Sequence, residues 1–187
     1  FIYSAPPGGG LTTLWTKGLG ATDRYMRDFV GFEEKTHREP EIENVEVNEY
    51  DASAGQDPTS VLAKVLLKQP EVFVVPDMPN AETLQTFCDL ANSEEEEHMV
   101  FTSTRAKDAS EALLRMLTLK PKPESFAKAV TGVLNVRLVR RLCEACKQPY
   151  QPDPRLLQRL GIPAGRVSQL YREWQPPPPG SIPEEEK

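Results

Sequence analysis

Short continuous apolar runs alternate along the chain with segments in which apolar residues recur at helical spacing. The runs begin at Phe1, Val72 and Met99, and each is typical of a strand that is covered on both faces. Alternation of such strands with helices predicts an α/β protein built on a sheet flanked by helices.

The helical segments carry start signals. Asp57, Asn80 and Asp108 each precede an apolar stripe, and Asp108 has Glu111 three residues later, as in a capping box. A further stripe at helical spacing covers residues 126–134, and we expect it to form one more helix. These signals indicate where the helices of the sheet protein begin.

The apolar pattern weakens after this last stripe. A short helix is expected after Asp153, with Gly161 as its stop, and a polyproline stretch and an acidic end follow. We therefore predict three segments: an α/β domain over residues 1–142, a small cysteine-containing subdomain over 143–175, and a Pro-rich linker with an acidic tail over 176–187.

Composition and charge narrow the class of protein. The 187 residues are 39% hydrophobic and 27% charged, which is ordinary for a soluble globular protein, and the net charge of −6 speaks against nucleic acid as a partner. No apolar run approaches the roughly 20 residues of a membrane-spanning helix. The chain opens on Phe1 inside an expected strand, so we expect a fragment, and three cysteines favour a reducing, cytosolic setting.

The glycine-rich stretch from Ser4 to Gly10 carries the first candidate chemistry. A strand, a glycine-rich turn and a helix opening at Leu11 have the architecture of a phosphate-binding loop, in which backbone N–H groups and the helix N-terminus hold a phosphate. Taken alone, the stretch is equally typical of a flexible turn, and the pattern by itself favours that simpler interpretation.

Four segments follow the order and spacing of the type II secretion and type IV pilus assembly motor ATPases. They are residues 1–15, 68–84, 98–109 and 137–150, and the last, RLVRRLCEACKQPY, matches the family nearly residue for residue. The chain resembles this family over roughly residues 1–171. The resemblance implies a RecA-like P-loop NTPase core, a sheet flanked by helices that binds ATP and Mg²⁺, with a small C-terminal Cys-x-x-Cys subdomain.

The same resemblance implies partners and location. Such motors work as hexameric rings at the cytoplasmic face of the bacterial inner membrane and turn ATP hydrolysis into extrusion of pilin-like subunits. We therefore expect self-association or a paralogous ATPase in the ring, inner-membrane platform proteins of the secretion or pilus machine as partners, and no nucleic acid.

Compared with that family, the phosphate loop is altered. The nucleotide-binding positions that the resemblance implies are Gly8, Gly9, Gly10, Leu11, Thr12, Thr13 and Arg105. The family's invariant lysine falls on Gly10, the Mg²⁺-binding hydroxyl falls on Leu11, and Pro7 removes an N–H from the loop. A lysine ammonium about 4 Å from a phosphate oxygen contributes on the order of 4 kcal/mol at an effective dielectric of 20. We therefore expect weak or absent hydrolysis.

Three further positions are catalytic candidates by resemblance. Glu33 falls in the family's acidic box, with a solvated acidic pair as the alternative, and Asp77 stands where the family has Glu, with a simple turn opener as the alternative. His98 keeps the family's first histidine, and we expect it to be structural. Arg105 replaces the second histidine, and its charge could bind phosphate.

Cys143 and Cys146 have the spacing of half a tetrahedral zinc site. The family supplies a second pair further along, so the resemblance implies Zn²⁺ in the full-length protein. Cys88 falls on an expected buried helical face and is a poor third ligand. A redox role would require a thioredoxin-like context, which the surrounding sequence does not supply.

Three functions stay open from the sequence. The first is a motor-ATPase-like component with an eroded site, which we favour because the phosphate loop, the acidic element and the histidine element are all changed. The second is a working ATPase with a non-standard loop. The third is a structural docking or zinc-ribbon module without nucleotide.

Overall fold

The structure, a computed structural model, describes residues 1–95, 97–163 and 165–175. The predicted linker and tail over 176–187 lie outside these ranges. The chain divides into two compact units, Phe1–Leu138 and Val139–Lys187. None of the helices described is long and apolar enough to cross a bilayer.

Six strands of the first unit form one sheet. They are β1 (Ile2–Ala5), β2 (Phe29–Glu34), β3 (Val45–Tyr50), β4 (Val72–Val75), β5 (Met99–Arg105) and β6 (Val133–Asn135). Their order across the sheet is β3-β2-β4-β5-β1-β6, and every neighbouring pair runs parallel. The carboxyl ends of all six strands therefore meet at one edge, and the loops that follow them share that edge.

Five helices accompany the sheet. They are α1 (Leu11–Gly20), α2 (Pro58–Leu66), α3 (Ala81–Ala91), α4 (Ala109–Thr118) and α5 (Pro123–Ala129). The predicted starts of three helices are confirmed, because the side chains of Asp57, Asn80 and Asp108 accept hydrogen bonds from the first-turn N–H groups of α2, α3 and α4.

The two faces of the sheet bury separate apolar clusters. Along β4, Phe73 and Val75 face a cluster that includes side chains of α2, α3, α4 and α5, whereas Val72 and Val74 face a cluster with Trp15 of α1. Successive side chains of a strand point to opposite faces, so the continuous apolar run of β4 is the run that a doubly covered strand requires. The predicted α/β class is confirmed.

The prediction of one helix over residues 126–134 is wrong. Helix α5 ends at Ala129, the backbone of Val130 is extended (φ −79°, ψ 103°), and the edge strand β6 begins at Val133. Apolar residues at helical spacing fit a short helix followed by a short strand equally well when each is so brief.

The second unit contains two short strands, which pair with each other, and one short helix. Strands β7 (Gln148–Tyr150) and β8 (Leu170–Arg172) are antiparallel. Between them in sequence lies α6 (Pro154–Arg159), capped by Asp153, whose carboxylate accepts from the N–H of Arg155. Gly161 follows in a left-handed conformation (φ 68°). The predicted short helix and its stop are confirmed.

Candidate functional site

A cavity of about 460 Å³ opens at the carboxyl edge of the sheet. Four positions that the sequence singles out line it together: Leu11 at the start of α1, Glu33 near the end of β2, Asp77 after β4 and Arg105 at the end of β5. They converge because their strands are parallel, so residues far apart in sequence leave the sheet at the same edge.

The glycine-rich stretch forms a tight turn between β1 and α1. The N–H of Gly9 donates to the carbonyl of Pro6 at 2.7 Å, and a Cβ atom at Gly9 would lie only 2.7 Å from the Pro6 ring. Gly8 and Gly10 adopt positive φ values of 69° and 96°. Only glycine fits this backbone at low cost. Gly10 is also the N-cap of α1 and has no side chain to cap the helix.

Gly10 and Leu11 have apolar side chains around them. A Cβ atom at Gly10 would lie 3.5 Å from a methyl group of Leu138, a residue that is 70% exposed. Leu11 is half-buried and packs against the cluster that contains Trp15. Thr12 and Thr13 lie exposed on the first turn of α1. A phosphate at the loop would meet backbone N–H groups and leucine side chains.

Ser4 is completely buried near the end of β1. Its hydroxyl accepts a hydrogen bond from the Asn135 amide at 2.9 Å, and the same amide nitrogen lies 3.3 Å from the carbonyl of Ala106. Ser4 therefore joins β1 to the end of β6, and this structural role was not evident from the sequence.

Glu33 and Asp77 differ in environment. Glu33 is half-buried, and burial, followed by the nearby charge of Glu39, raises the pKa of its carboxyl group. Asp77 is exposed in the turn after β4, where the hydroxyl of Ser103 donates to the carbonyl of Pro76 at 2.9 Å and fixes the start of that turn. Both residues line the cavity, and Glu33 is the more buried of the two.

Tyr50 is a member of the site that the sequence did not suggest. It ends β3, lines the cavity and is only 7% exposed. Burial, followed by the charges of Asp77, Glu34 and Asp57, raises the pKa of its phenol. The sequence of β3, Val-Glu-Val-Asn-Glu-Tyr, alternates only over its first four residues, so the pattern gave little signal for this tyrosine.

Asp57 links the start of α2 to the start of α3. One carboxylate oxygen accepts from the N–H groups of Thr59 (3.0 Å) and Ser60 (3.2 Å) in α2, and the other accepts from the Asn80 amide (2.9 Å) and the buried Thr83 hydroxyl (3.2 Å) in α3. Burial opposes ionisation, but these hydrogen bonds together lower the pKa of Asp57. Asn80, the N-cap of α3, follows Asp77 by three residues, so the turn that carries Asp77 leads to a residue that is hydrogen-bonded to Asp57.

His98 lies away from the other candidates. It precedes β5, whereas Arg105 ends that strand, and a seven-residue strand is about 20 Å long. The ring of His98 lies tilted against that of Phe73, with 5.1 Å between the centroids, and its Nδ1 atom lies 3.1 Å from the carbonyl oxygen of Pro70. The structure therefore places His98 against the beginning of β4, and His98 does not line the cavity.

Cys143 and Cys146 lie exposed on a turn closed by a hydrogen bond from the N–H of Lys147 to the carbonyl of Cys143 at 2.9 Å. A hydrogen bond from the Cys146 thiol, followed by backbone N–H donors, lowers the pKa of Cys143. Two adjacent thiols fit half of a tetrahedral site. No group of three His, Cys, Asp or Glu side chains in the described ranges is arranged to hold a metal ion, and Cys88 is buried in α3.

Sequence comparison defines the class of protein. The chain belongs to the family described as type II/IV secretion system protein, whose profile matches residues 1–175. The type IV pilus assembly ATPase PilB of Thermus thermophilus is 30% identical over 136 residues, covering 72% of this chain and 15% of that protein. Type II secretion system protein E of Pseudomonas aeruginosa is 25% identical over 171 residues, covering 91% of this chain and 33% of that protein. The chain thus spans a third or less of these relatives.

Solved structures share the fold. The VirB11 ATPase of the Brucella suis type IV secretion system, solved with sulphate, aligns with a TM-score of 0.50 and 14% identity over 63% of this chain and 33% of that one. The pilus retraction motor PilT, solved with bound ADP, aligns with a TM-score of 0.50 and 17% identity over 72% of this chain and 41% of that one. The parallel six-stranded sheet flanked by helices therefore matches secretion ATPase folds.

Proposed function

We propose that this chain is a motor-ATPase-like component of a type II secretion or type IV pilus assembly system whose nucleotide site does not support efficient ATP hydrolysis. The observation that carries the proposal is the phosphate loop itself. It keeps the tight turn around Gly9, yet it has Gly10 and Leu11 in place of an ammonium and a metal-binding hydroxyl, and Leu138 lies beside Gly10.

The charge balance supports the same proposal. The missing lysine removes on the order of 4 kcal/mol of attraction at an effective dielectric of 20. Half of that value, after a discount for solvation, still corresponds to a loss of about tenfold or more in nucleotide affinity. Among the described residues that line the cavity, the basic side chains are the guanidinium of Arg105 and the imidazole of His37.

The residues present define what ATP and Mg²⁺ would meet. Backbone N–H groups of residues 8–13 and the guanidinium of Arg105 would face the phosphates, and the carboxylate of Asp77 would face the metal. Mg²⁺ prefers oxygen ligands, and Leu11 provides none from its side chain. The nucleotide would supply a phosphoryl group for hydrolysis, and these residues would hold it weakly.

Membership of the family supports a proposal for assembly and location. We propose that the first unit is the NTPase-type domain, that it associates with copies of itself or with a paralogous ATPase in a hexameric ring, and that inner-membrane platform proteins bind the ring on its cytoplasmic side. Cys143 and Cys146 would bind Zn²⁺ together with two ligands contributed from outside the described residues.

A working ATPase is the second candidate. It is favoured by one observation: Glu33, Asp77 and Arg105 line a single cavity beside the loop. A general base, a metal-facing carboxylate and a phosphate-binding cation in one place are what hydrolysis requires.

Calorimetric titration of the full-length protein with Mg-ATP, together with a phosphate-release assay, tests the proposal. We expect no micromolar binding and no steady turnover. Micromolar affinity with about one turnover per second, the low end of enzymatic rates, would establish the working ATPase instead. The double variant Gly10→Lys with Leu11→Thr is the positive control and is expected to bind Mg-ATP about tenfold more tightly than the parent protein.

A further inference from the structure

A cavity of about 600 Å³, separate from the one at the carboxyl edge, lies under α3 and α5, where β1 and β5 begin. The two cavities share no lining residue. The floor of this cavity is formed by side chains that are each no more than 6% exposed, among them Leu84, Phe87, Cys88, Met116 and Phe126. Charged side chains such as those of Arg27 and Lys128 lie exposed at its rim. The cavity is therefore apolar inside and polar at its mouth.

Thr102 is a polar member of that floor. It lies in the middle of β5, is 5% exposed, and its hydroxyl has no hydrogen-bond partner among the residues that the structure describes. Phe101 packs in the cluster on the α1 face, so Thr102 faces the side on which the cavity lies, because successive side chains of a strand alternate. A buried hydroxyl without a partner costs free energy. Thr102 therefore marks a place where a hydrogen-bonding group from outside the chain would be accommodated.

The neighbours of Thr102 decide what kind of group that is. A buried water usually makes about three hydrogen bonds, but the floor side chains around this hydroxyl are hydrocarbon groups and weakly hydrogen-bonding sulfur atoms. Burial, followed by the charge of Asp89, raises the pKa of the Cys88 thiol to about 11, so the floor is uncharged at neutral pH. An ion placed there would lose its hydration without meeting a counter-charge. An uncharged organic molecule with one polar atom fits this lining.

The size and depth of the cavity favour a small molecule over the surface of a partner protein. Sites for small molecules typically enclose about 300–1,000 Å³ and combine an apolar lining with a few placed polar groups. The apolar side chains here form a recessed floor, whereas a protein interface would use apolar side chains that project from the surface.

We propose that this cavity binds an uncharged, largely apolar small molecule that carries one hydrogen-bonding oxygen or nitrogen atom. The apolar part of the ligand contacts Leu84, Phe87 and Phe126, and its polar atom pairs with the hydroxyl of Thr102. Rotation about the Cα–Cβ bond of Thr102 moves the hydroxyl between staggered positions, so it can turn toward the ligand. Such a ligand joins the first residues of β1 and β5 to α3 and α5. The site does not depend on the state of the nucleotide site, because the two cavities have no lining residue in common.

Equilibrium dialysis of the full-length protein against 2-naphthol and against naphthalene tests the proposal. The two probes share an apolar double ring and differ in one hydroxyl group. We expect 2-naphthol to bind with a dissociation constant below about 1 mM, and naphthalene to bind about threefold to tenfold more weakly. Equal binding of the two probes would show that Thr102 takes its hydrogen bond from solvent and would overturn the proposal. So would the absence of 2-naphthol binding at about 1 mM.

Two buried threonines provide a matched pair of variants. Thr102→Val removes the unpaired hydroxyl, so it should weaken 2-naphthol about threefold to tenfold, leave naphthalene unchanged and move the midpoint of urea unfolding of the unliganded protein upward. Thr83→Val removes a hydroxyl that donates to Asp57 at 3.2 Å outside the cavity, so it should lower that midpoint and leave both probes unchanged. A lower midpoint for Thr102→Val would mean that its hydroxyl already has a partner in the protein, which contradicts the proposal.

Two alanines of α5 locate the probe. Ala129 lines the cavity, whereas Ala127 is exposed two residues earlier and does not line it. Ala129→Leu adds three carbon atoms to the space that the ligand needs and is expected to weaken 2-naphthol at least about tenfold, the cost of a contact that overpacks a filled cavity. Ala127→Leu is expected to leave the binding unchanged. Equal effects of the two changes would place the probe elsewhere on the protein and refute the site.

Discussion

The carboxylate of Asp57 is expected to be a large single contributor to the stability of the first unit. Replacement of Asp57 by Ala removes the N-cap of α2, which costs about 1 kcal/mol. It also leaves the completely buried hydroxyl of Thr83 without its acceptor, which costs about 1–3 kcal/mol more. The free energy of unfolding should therefore fall by about 2–4 kcal/mol, a large part of the total for a domain of this size.

Urea unfolding of the parent, Asp57→Ala and Thr83→Val proteins, with the double variant, measures this cost. The Thr83→Val change removes the hydroxyl that Asp57→Ala would leave unpaired. In that background Asp57→Ala should cost only about 1 kcal/mol, the value of the cap alone. The same cost in both backgrounds, or a cost below 1 kcal/mol in the parent, would refute the reasoning.

The stabilisation by Asp57 should also depend on pH in a defined direction. Burial opposes ionisation, but the hydrogen bonds from Thr59, Asn80, Ser60 and Thr83 lower the folded-state pKa below that of the unfolded chain. The contribution is therefore present above the unfolded value of about 3.9 and is lost as the pH falls through the lower, folded value. Asp57→Ala should abolish this part of the acid dependence.

Three further outcomes are expected. Gly10→Ala should destabilise the protein by about 1–2 kcal/mol in urea unfolding because Gly10 has φ 96°, whereas Gly20→Ala, at an exposed helix position with open space, should be neutral or slightly stabilising. Ser4→Ala should cost about 1 kcal/mol in the same assay through loss of the hydrogen bond to the end of β6, and no change would contradict that bond. Burial, followed by the charge of a neighbouring aspartate, raises the pKa of Cys88 to about 11, so iodoacetamide at pH 8 should label the two other cysteines first; equal labelling by mass spectrometry would contradict its burial.

The sequence predicted the elements that are either fully buried or clearly capped. Strand β4 was evident because both faces are covered, and the helices after Asp57, Asn80 and Asp108 were evident because each cap is visible in the sequence. Strands β2 and β3 were not predicted. β3 is an edge strand in which only Tyr50 is buried, and β2 contains Gly31, whose missing side chain leaves room for Val45 at the neighbouring strand.

The candidate site was predictable only in part. Leu11, Glu33, Asp77 and Arg105 were found by their positions in a family pattern, and their common cavity follows from the parallel sheet. Tyr50 was missed because its strand was missed. The left-handed backbone of the loop and the buried Ser4–Asn135 contact depend on packing between distant segments, which no local pattern reveals.

The position of β1 in the sheet has a consequence for the synthesis of the protein. β1 comes first in this sequence, but it lies between β5 and β6, and the hydrogen bond between Ser4 and Asn135 joins residues 131 positions apart. At 5–20 residues per second, a ribosome needs roughly 7–26 s to make that intervening chain. Ile2 pairs with Thr102 of β5 and with Val133 of β6, so both neighbours of β1 are made long after β1 itself. The centre of the sheet therefore forms late, and such long-range pairing is slow.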